Sequence, residues 1–108
     1  MKFGKEDIVK IVKIRLRNPS AEYKKGWVEY SKFPFCKNRI GKIMEVYPTQ
    51  EFKYRVKFID ERLNEKIRGM SKIERYSNNY PLFAEDELEN ATEKDIEIDK
   101  QHEIEGNI

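Results

Sequence analysis

The side chains that could take part in catalysis or metal binding are few and scattered. The chain has one histidine, His102, and one cysteine, Cys36, and His102 lies in a polar, acidic segment that cannot hold a catalytic base rigidly. One cysteine and one histidine are also too few to supply the Cys and His ligands of a structural zinc site. The acidic run 85–89 offers oxygen ligands but lacks the spaced loop and glycine of a calcium site. We therefore predict no catalytic residues, no metal and no cofactor.

One spacing is similar to the acidic pair and lysine that surround Mg²⁺ in nucleases. Asp7 together with Glu22-Tyr23-Lys24 matches it. However, Glu22 follows the turn sequence Asn18-Pro19-Ser20, whereas such a site needs a rigid strand. The five glycines are scattered, so the sequence contains no glycine-rich phosphate loop. We predict that the protein is not an enzyme and acts by binding.

The charge is divided unevenly along the chain. Charged residues make up 39% of the sequence, against roughly 25% in typical soluble domains. Residues 1–80 contain 20 Lys/Arg and 10 Asp/Glu, and residues 81–108 contain 2 and 10, so a net charge of +2 conceals segments of +10 and −8. This asymmetry indicates an electrostatic partner. It also fits a well-solvated charged end, or an acidic end that folds back onto the basic part.

Basic and aromatic side chains suited to a polyanion lie on two predicted strands and in the loop between them. If the two strands are neighbours, their outer faces form a cationic sheet whose like charges repel, and bound phosphates would offset that repulsion. The loop aromatics would stack on bases or pack on a protein, or else form a small second core. The candidate nucleic-acid or partner-binding residues are Lys13, Arg15, Arg17, Lys24, Lys25, Trp27, Tyr30, Lys53, Arg55 and Lys57.

Alternating apolar and polar residues predict the strands that position these side chains. In residues 8–17, Val12, Ile14 and Leu16 alternate with basic residues, which indicates a half-buried strand. Residues 40–47 and 52–58 form the clearest hairpin, with a turn at 48–50 and a bulge expected near Gly41. In its second strand, Phe52 and every second residue to Phe58 face inward, and the residues between them are cationic.

The remaining segments are less regular. Leu63, Ile67, Met70 and Ile73 have helical spacing after a capping Asp60, which predicts a short helix followed by an extended stretch. The long segments 21–39 and 60–80 are where we expect function. Residues 84–88 form a closing turn. Beyond residue 89, Ile96 and Ile98 alternate with acids and predict an edge strand within an otherwise irregular end.

Three segments together resemble the SH3-like barrels of small bacterial and phage proteins, related to the KOW and Tudor-like groups. They are Asn38–Tyr47 with its Gly-Lys-Ile, Tyr54–Phe58 with the pattern Y-x-V-x-F, and Phe83–Leu88 with F-x-E-x-E-L. The resemblance implies a mainly β protein: a small five-stranded, partly open SH3-like barrel with a short helix and long loops. It would bind through its loops and one exposed face. We predict a barrel domain over residues 1–92 and an acidic, flexible C-terminal tail over 93–108.

Two functions follow from these patterns. The first is a small binding module that uses a basic strand face and an aromatic loop to bind nucleic acid or a nucleoprotein complex. The second is an inhibitor that binds a host defence nuclease or another nucleic-acid-binding host protein, its acidic end imitating phosphates. The composition, rich in Lys, Glu, Ile and Asn, resembles that of small phage proteins, and this resemblance implies a phage-encoded, anti-CRISPR-like inhibitor. The absence of a long apolar run or signal peptide and the single cysteine predict a cytoplasmic protein without a membrane partner. The oligomeric state is left open.

Overall fold

Five strands and two α-helices make up the part of the chain that the structure describes. The structure is a computed structural model, and it describes residues 2–14, 34–70 and 80–105. The strands are β1 (Ile8–Ile11), β2 (Ile40–Val46), β3 (Tyr54–Phe58), β4 (Leu82–Phe83) and β5 (Leu88–Asn90), and the helices are α1 (Glu61–Met70) and α2 (Glu93–Glu105). Two 3₁₀ helices, Pro34–Cys36 and Glu85–Glu87, lie before β2 and β5.

The strands form one antiparallel sheet in the order β4-β3-β2-β1-β5. Within the described ranges β4 and β5 are the two edges and do not pair with each other, so the sheet is not closed into a barrel. The prediction of a mainly β protein is confirmed. Inward-facing strand residues pack with Leu63 and Ile67 of α1 to form the hydrophobic core.

The β2–β3 hairpin follows the predicted alternation. Tyr54, Val56 and Phe58 are buried in the core, and the residues between them are only partly buried. Phe52 precedes β3 and is half-buried rather than a core residue. The turn at 48–50 is closed by the Gln50 N–H, which donates to the Tyr47 carbonyl at 3.1 Å. Alternation and turn chemistry were sufficient here because a hairpin is a local structure.

The bulge expected near Gly41 lies elsewhere. The register between β2 and β3 shifts between Ile43 and Glu45. Gly41 itself is regularly paired, with Val9 on one side and Phe58 on the other. It allows β2 and β3 to approach, because a Cβ at this position would lie 2.3 Å from Cγ1 of Val56. The irregularity predicted for this strand is therefore present but misplaced, and the glycine itself serves close packing.

The first strand is shorter than predicted and has the opposite phase. It covers residues 8–11, and its fully buried side chains are Val9 and Ile11. Val12 and Ile14 lie beyond the strand and are half-buried. The predicted strand is wrong in its extent, because β2 and β5 pair only with the earlier residues. Of the predicted inward row, Ile14 does pack against the core, Val12 is half-buried, and Leu16 lies outside the described residues.

Helix α1 begins as predicted. The Asp60 carboxylate accepts from the Arg62 backbone N–H at 3.1 Å, which caps the helix start. Leu63 and Ile67 are buried on one face. The extended stretch expected after the helix lies outside the described residues.

Residues 93–105 form helix α2, so the edge strand predicted at Ile96 and Ile98 is wrong. Thr92 and Asp95 exchange hydrogen bonds between side chain and backbone N–H, of 2.9 and 3.1 Å, in a capping-box arrangement that starts the helix. The helix packs back onto the start of β2, as in the folded-back alternative. The division of the chain at residue 92 stays a prediction. Of the described helices, neither α1 nor α2 combines the length and apolar character of a membrane span.

Candidate nucleic-acid interface

Four of the ten predicted binding residues lie within the described ranges. Lys53, Arg55 and Lys57 alternate along β3 and the residue before it, and Lys13 follows β1. The others lie outside the described residues: Arg15, Arg17, Lys24, Lys25, Trp27 and Tyr30. The question whether the loop aromatics form a second core falls there as well.

Two tyrosines lie beside the cations of β3. The guanidinium carbon of Arg55 is 5.4 Å from the centre of the Tyr47 ring, and Lys57 Nζ is 5.7 Å from the centre of the Tyr80 ring. These are cation–π distances. We call Tyr47, Lys53, Arg55, Lys57 and Tyr80 the outer strip. It interleaves cations with half-buried aromatic rings on one surface of the sheet.

Arg55 holds the strip together. Its Nη1 donates to the Tyr80 carbonyl at 2.7 Å, and its Nε donates to the Tyr47 hydroxyl at 3.4 Å. The Tyr47 hydroxyl donates to the Glu45 carboxylate, which also lies 3.6 Å from Arg55 Nε. Only 15% of the Arg55 side chain is exposed. Arg55 therefore positions the two tyrosines and offers little of its own charge to a ligand.

Lys53 and Lys57 are the available cations of the strip. Lys53 Nζ donates to the Gln50 carbonyl at 3.0 Å. Among the described residues, neither lysine forms an ion pair within 4 Å of a carboxylate. Lys57 also lies directly opposite Lys42 in the β2–β3 register. Like charges in that position are unfavourable until an anion or a neighbouring acid offsets them.

Other cations of the sheet are paired with acids of the chain. Lys42 contacts Glu6 at 2.9 Å, and both side chains are partly exposed. The hydrogen bond from Lys42, and then its positive charge, lower the pKa of Glu6 below its usual value. Lys13 contacts Asp86 at 2.9 Å, again with both side chains largely exposed. Exposed pairs of this kind contribute about 0–1 kcal/mol. A polyanion could therefore replace either acid at little cost.

A buried ionic cluster lies where α1 and α2 meet the start of β2. Arg39 donates to Asp60 at 2.9 Å and to Asp99 at 2.7 Å, and each of these side chains is at most 4% exposed. Arg62 donates to the same Asp60 carboxylate and lowers its pKa more than any other group, with Arg39 adding to the effect. Two arginines thus balance two carboxylates. Within the described part of the chain, Arg39 Nη1 has no hydrogen-bond partner.

Some of the groups considered above for catalysis lie within the described part of the chain. Cys36 is fully buried, and the Asp7 carboxylate accepts from the Gly4 N–H at 2.9 Å. The Glu22-Tyr23-Lys24 portion of the nuclease spacing lies outside the described residues. The described residues contain no group of three or more His, Cys, Asp or Glu side chains arranged to hold a metal ion.

Sequence reasoning identified the cations of the outer strip but missed its aromatic rings. Tyr47 could have been found, because the hairpin register places it beside Lys53, whose carbonyl accepts from the Tyr47 N–H at 2.7 Å. Tyr80 has no such local signal. It reaches the strip because Pro81 and β4 pair alongside β3, with the Val56 N–H donating to the Pro81 carbonyl at 3.0 Å.

Comparison with known protein families, curated proteins and solved structures found no match to this chain. The functional argument therefore depends on the chemistry of the outer strip itself.

Proposed function

We propose that this chain is a small, non-enzymatic binding module whose outer strip binds single-stranded nucleic acid, free or within a nucleoprotein complex. The observation that carries the proposal is the interleaving of Lys53 and Lys57 with the rings of Tyr47 and Tyr80. Lysines attract the phosphate backbone, and aromatic rings stack on unpaired bases without regard to sequence. Surfaces that combine both features suit a single strand better than a duplex, whose bases are already stacked.

The dimensions of the strip suit a short contact. Lys53 and Lys57 are four residues apart on extended chain, which corresponds to roughly 13 Å. Such a length accommodates only a few nucleotides, so we expect modest affinity that depends strongly on salt. The predicted basic and aromatic residues of segment 15–33 would extend the contact under this proposal.

The fold supports an SH3-like assignment, which we include in the proposal. Five antiparallel strands lie in one sheet, and the last strand returns to pair with the first, as a partly open barrel requires. In this assignment the outer strip belongs to the exposed face through which the resemblance implies binding.

The alternative, a protein inhibitor whose acidic end imitates phosphates, receives less support from the contacts. Several of those acids are paired inside the chain: Glu85 accepts from the Lys2 N–H at 2.6 Å, Asp86 contacts Lys13, and Asp99 contacts Arg39. Acids that satisfy the chain's own donors are less available to imitate a phosphate backbone.

The test is the binding of a fluorescein-labelled oligo(U) of about 15 nucleotides to the full chain, followed by fluorescence anisotropy between about 50 and about 200 mM salt. The variant Lys53→Gln/Lys57→Gln removes two charges from the strip. The matched control, Lys94→Gln/Lys100→Gln, removes two exposed charges from α2. We expect the strip variant to reduce the slope of log affinity against log salt by about 1.4, since each phosphate contact on a single strand contributes about 0.7.

The tyrosines supply a second arm of the test. Tyr80→Leu keeps an apolar side chain but removes the ring, and we expect it to weaken binding by about fivefold or more, as loss of one base-stacking contact does. The proposal fails if the full chain ignores the oligonucleotide at low salt, or if both double variants weaken binding equally. Capture of one specific protein from nuclease-treated bacterial lysate, without oligonucleotide binding, would favour the inhibitor.

A further inference from the structure

Helix α2 covers a second basic surface on the same face of the sheet as the outer strip. Asp95 contacts Lys10 Nζ at 3.2 Å, and Asp99 Oδ1 accepts from Arg39 Nε at 2.7 Å and from the Ile40 N–H at 3.4 Å. Ile40 lies opposite Lys10 in the β1–β2 register, so it is on the outer face, yet it is fully buried. The helix therefore covers this end of the sheet.

Several of the described contacts that attach α2 are polar, although the helix also covers the apolar side chain of Ile40. Besides the two aspartate contacts, Arg62 donates to the His102 carbonyl at 3.2 Å. In contrast, Ile98 is 49% exposed and does not anchor the helix in the core. An attachment through carboxylates can be exchanged for another anion, whereas an apolar attachment cannot.

The charge beneath α2 becomes positive when the helix leaves. Arg39 and Arg62 are balanced by Asp60 and Asp99 while α2 is in place. Departure of α2 removes Asp99 from Arg39 and Asp95 from Lys10, so each of these two cations loses a carboxylate partner. A surface with these two cations and a freed backbone N–H at Ile40 is suited to a phosphate chain.

This surface is continuous with the outer strip. On the outer face, β2 carries Ile40 beside Lys10 and, two residues on, Lys42 beside Lys57. A row of basic positions thus leads from the covered end of the sheet to the strip. Resting on the proposed function, we propose that the surface beneath α2 is a second part of the nucleic-acid interface, and that α2 competes for it, with Asp95 and Asp99 in place of phosphates.

The test uses the full chain and two variants of equal net charge. Asp95→Asn removes the carboxylate that faces Lys10, while its amide oxygen can still accept from the Thr92 N–H at the helix start. Hydrogen bonds from the Thr92 backbone and side chain, followed by Lys10, lower the pKa of Asp95, so the substitution removes a full charge at neutral pH. Glu97→Gln is the matched control because Glu97 is exposed on the same helix.

We expect Asp95→Asn to bind the labelled oligo(U) about twofold to fivefold more tightly than Glu97→Gln, the range set by one partly exposed ion pair. A second measurement needs no variant. Hydrogen exchange of the wild-type backbone amides in α2 should become faster when oligo(U) is bound, because the helix leaves the sheet.

The outcomes separate this inference from the proposed function. If wild-type binding depends on Lys53 and Lys57, but Asp95→Asn equals Glu97→Gln and exchange in α2 is unchanged, the competition is refuted and the proposed function stands. If neither the wild type nor Asp95→Asn binds oligo(U) at low salt, both fail.

Discussion

Gly41 offers the sharpest test of the packing between β2 and β3. Replacement by alanine would place a Cβ 2.3 Å from Val56 Cγ1 and 3.0 Å from the Lys57 carbonyl oxygen. Ordinary contact begins at 3.4 Å, so Val56 would have to retreat by about 1.1 Å. Val56 is fully buried in the core and the Lys57 carbonyl belongs to the β3 backbone. Neither group can move away without a cost in the free energy of unfolding.

The expected cost of Gly41→Ala is therefore at the upper end of the overpacking range, about 3 kcal/mol in the free energy of unfolding. For a domain of this size, that loss corresponds to roughly 13 °C in the melting temperature. Urea denaturation followed by far-UV circular dichroism measures it by linear extrapolation. Gly4→Ala is the matched control, because a Cβ there meets nothing within 4 Å. We expect it to change the free energy of unfolding by no more than about 0.5 kcal/mol.

A double variant isolates the contact responsible. Val56→Ala alone should cost about 2 kcal/mol through the cavity that it leaves. In Gly41→Ala/Val56→Ala the new methyl group occupies part of that cavity. The double variant should therefore lose about 1–2 kcal/mol less free energy of unfolding than the sum of the losses of the two single variants. The reasoning is refuted if Gly41→Ala behaves like Gly4→Ala, or if the two losses are simply additive.

Two further predictions concern buried polar groups. The Asn64 side chain accepts from the Phe58 N–H at 2.9 Å and donates to the Phe58 carbonyl at 2.8 Å. Asn64→Leu should leave both backbone groups unpaired and lower the free energy of unfolding by about 2 kcal/mol or more, as measured by urea denaturation. The control variant Glu65→Gln, at the exposed neighbouring position, should leave urea denaturation nearly unchanged. In the folded state, hydrogen bonds from Arg62 and from the buried Arg39 lower the pKa of Asp60. Its ionised form therefore adds stability above its ordinary pKa of about 4, and that stability is lost as the pH falls through the lower folded-state value. Urea denaturation between neutral and acidic pH should show a shallower decline in Asp60→Asn than in the wild type, and equal declines would contradict this assignment.

Local patterns in the sequence were sufficient for two elements. Alternation between Tyr54 and Phe58, with turn residues before it, predicted the hairpin, and Asp60 with Leu63 and Ile67 predicted the start of α1. Both depend on interactions within about ten residues, which sequence periodicity records directly. The same alternation correctly placed the basic side chains of Lys53, Arg55 and Lys57, along β3 and the residue before it, opposite the core.

The same kind of pattern failed where it allowed two answers. In residues 8–14, Val9 and Ile11 are as apolar as Val12 and Ile14, so the pattern allows a strand of either phase. Only pairing with β2 and β5 placed Val9 and Ile11 in the strand, whereas Ile14 packs against the core from beyond it. At the C-terminal end, the alternation of Ile96 and Ile98 suggested a strand, although the threonine and aspartate that cap α2 were a competing local signal.

The sequence by itself determined the sheet-forming hairpin, the start of the first helix, the division of charge and the lysines of the outer strip. Only the tertiary structure decided that Tyr80 lies beside Lys57, and that Arg39 meets Asp99, 60 positions away. The physical reason is that strand and helix patterns express contacts between near neighbours. Ion pairs and ring contacts between distant residues depend instead on which surfaces meet when the core is buried.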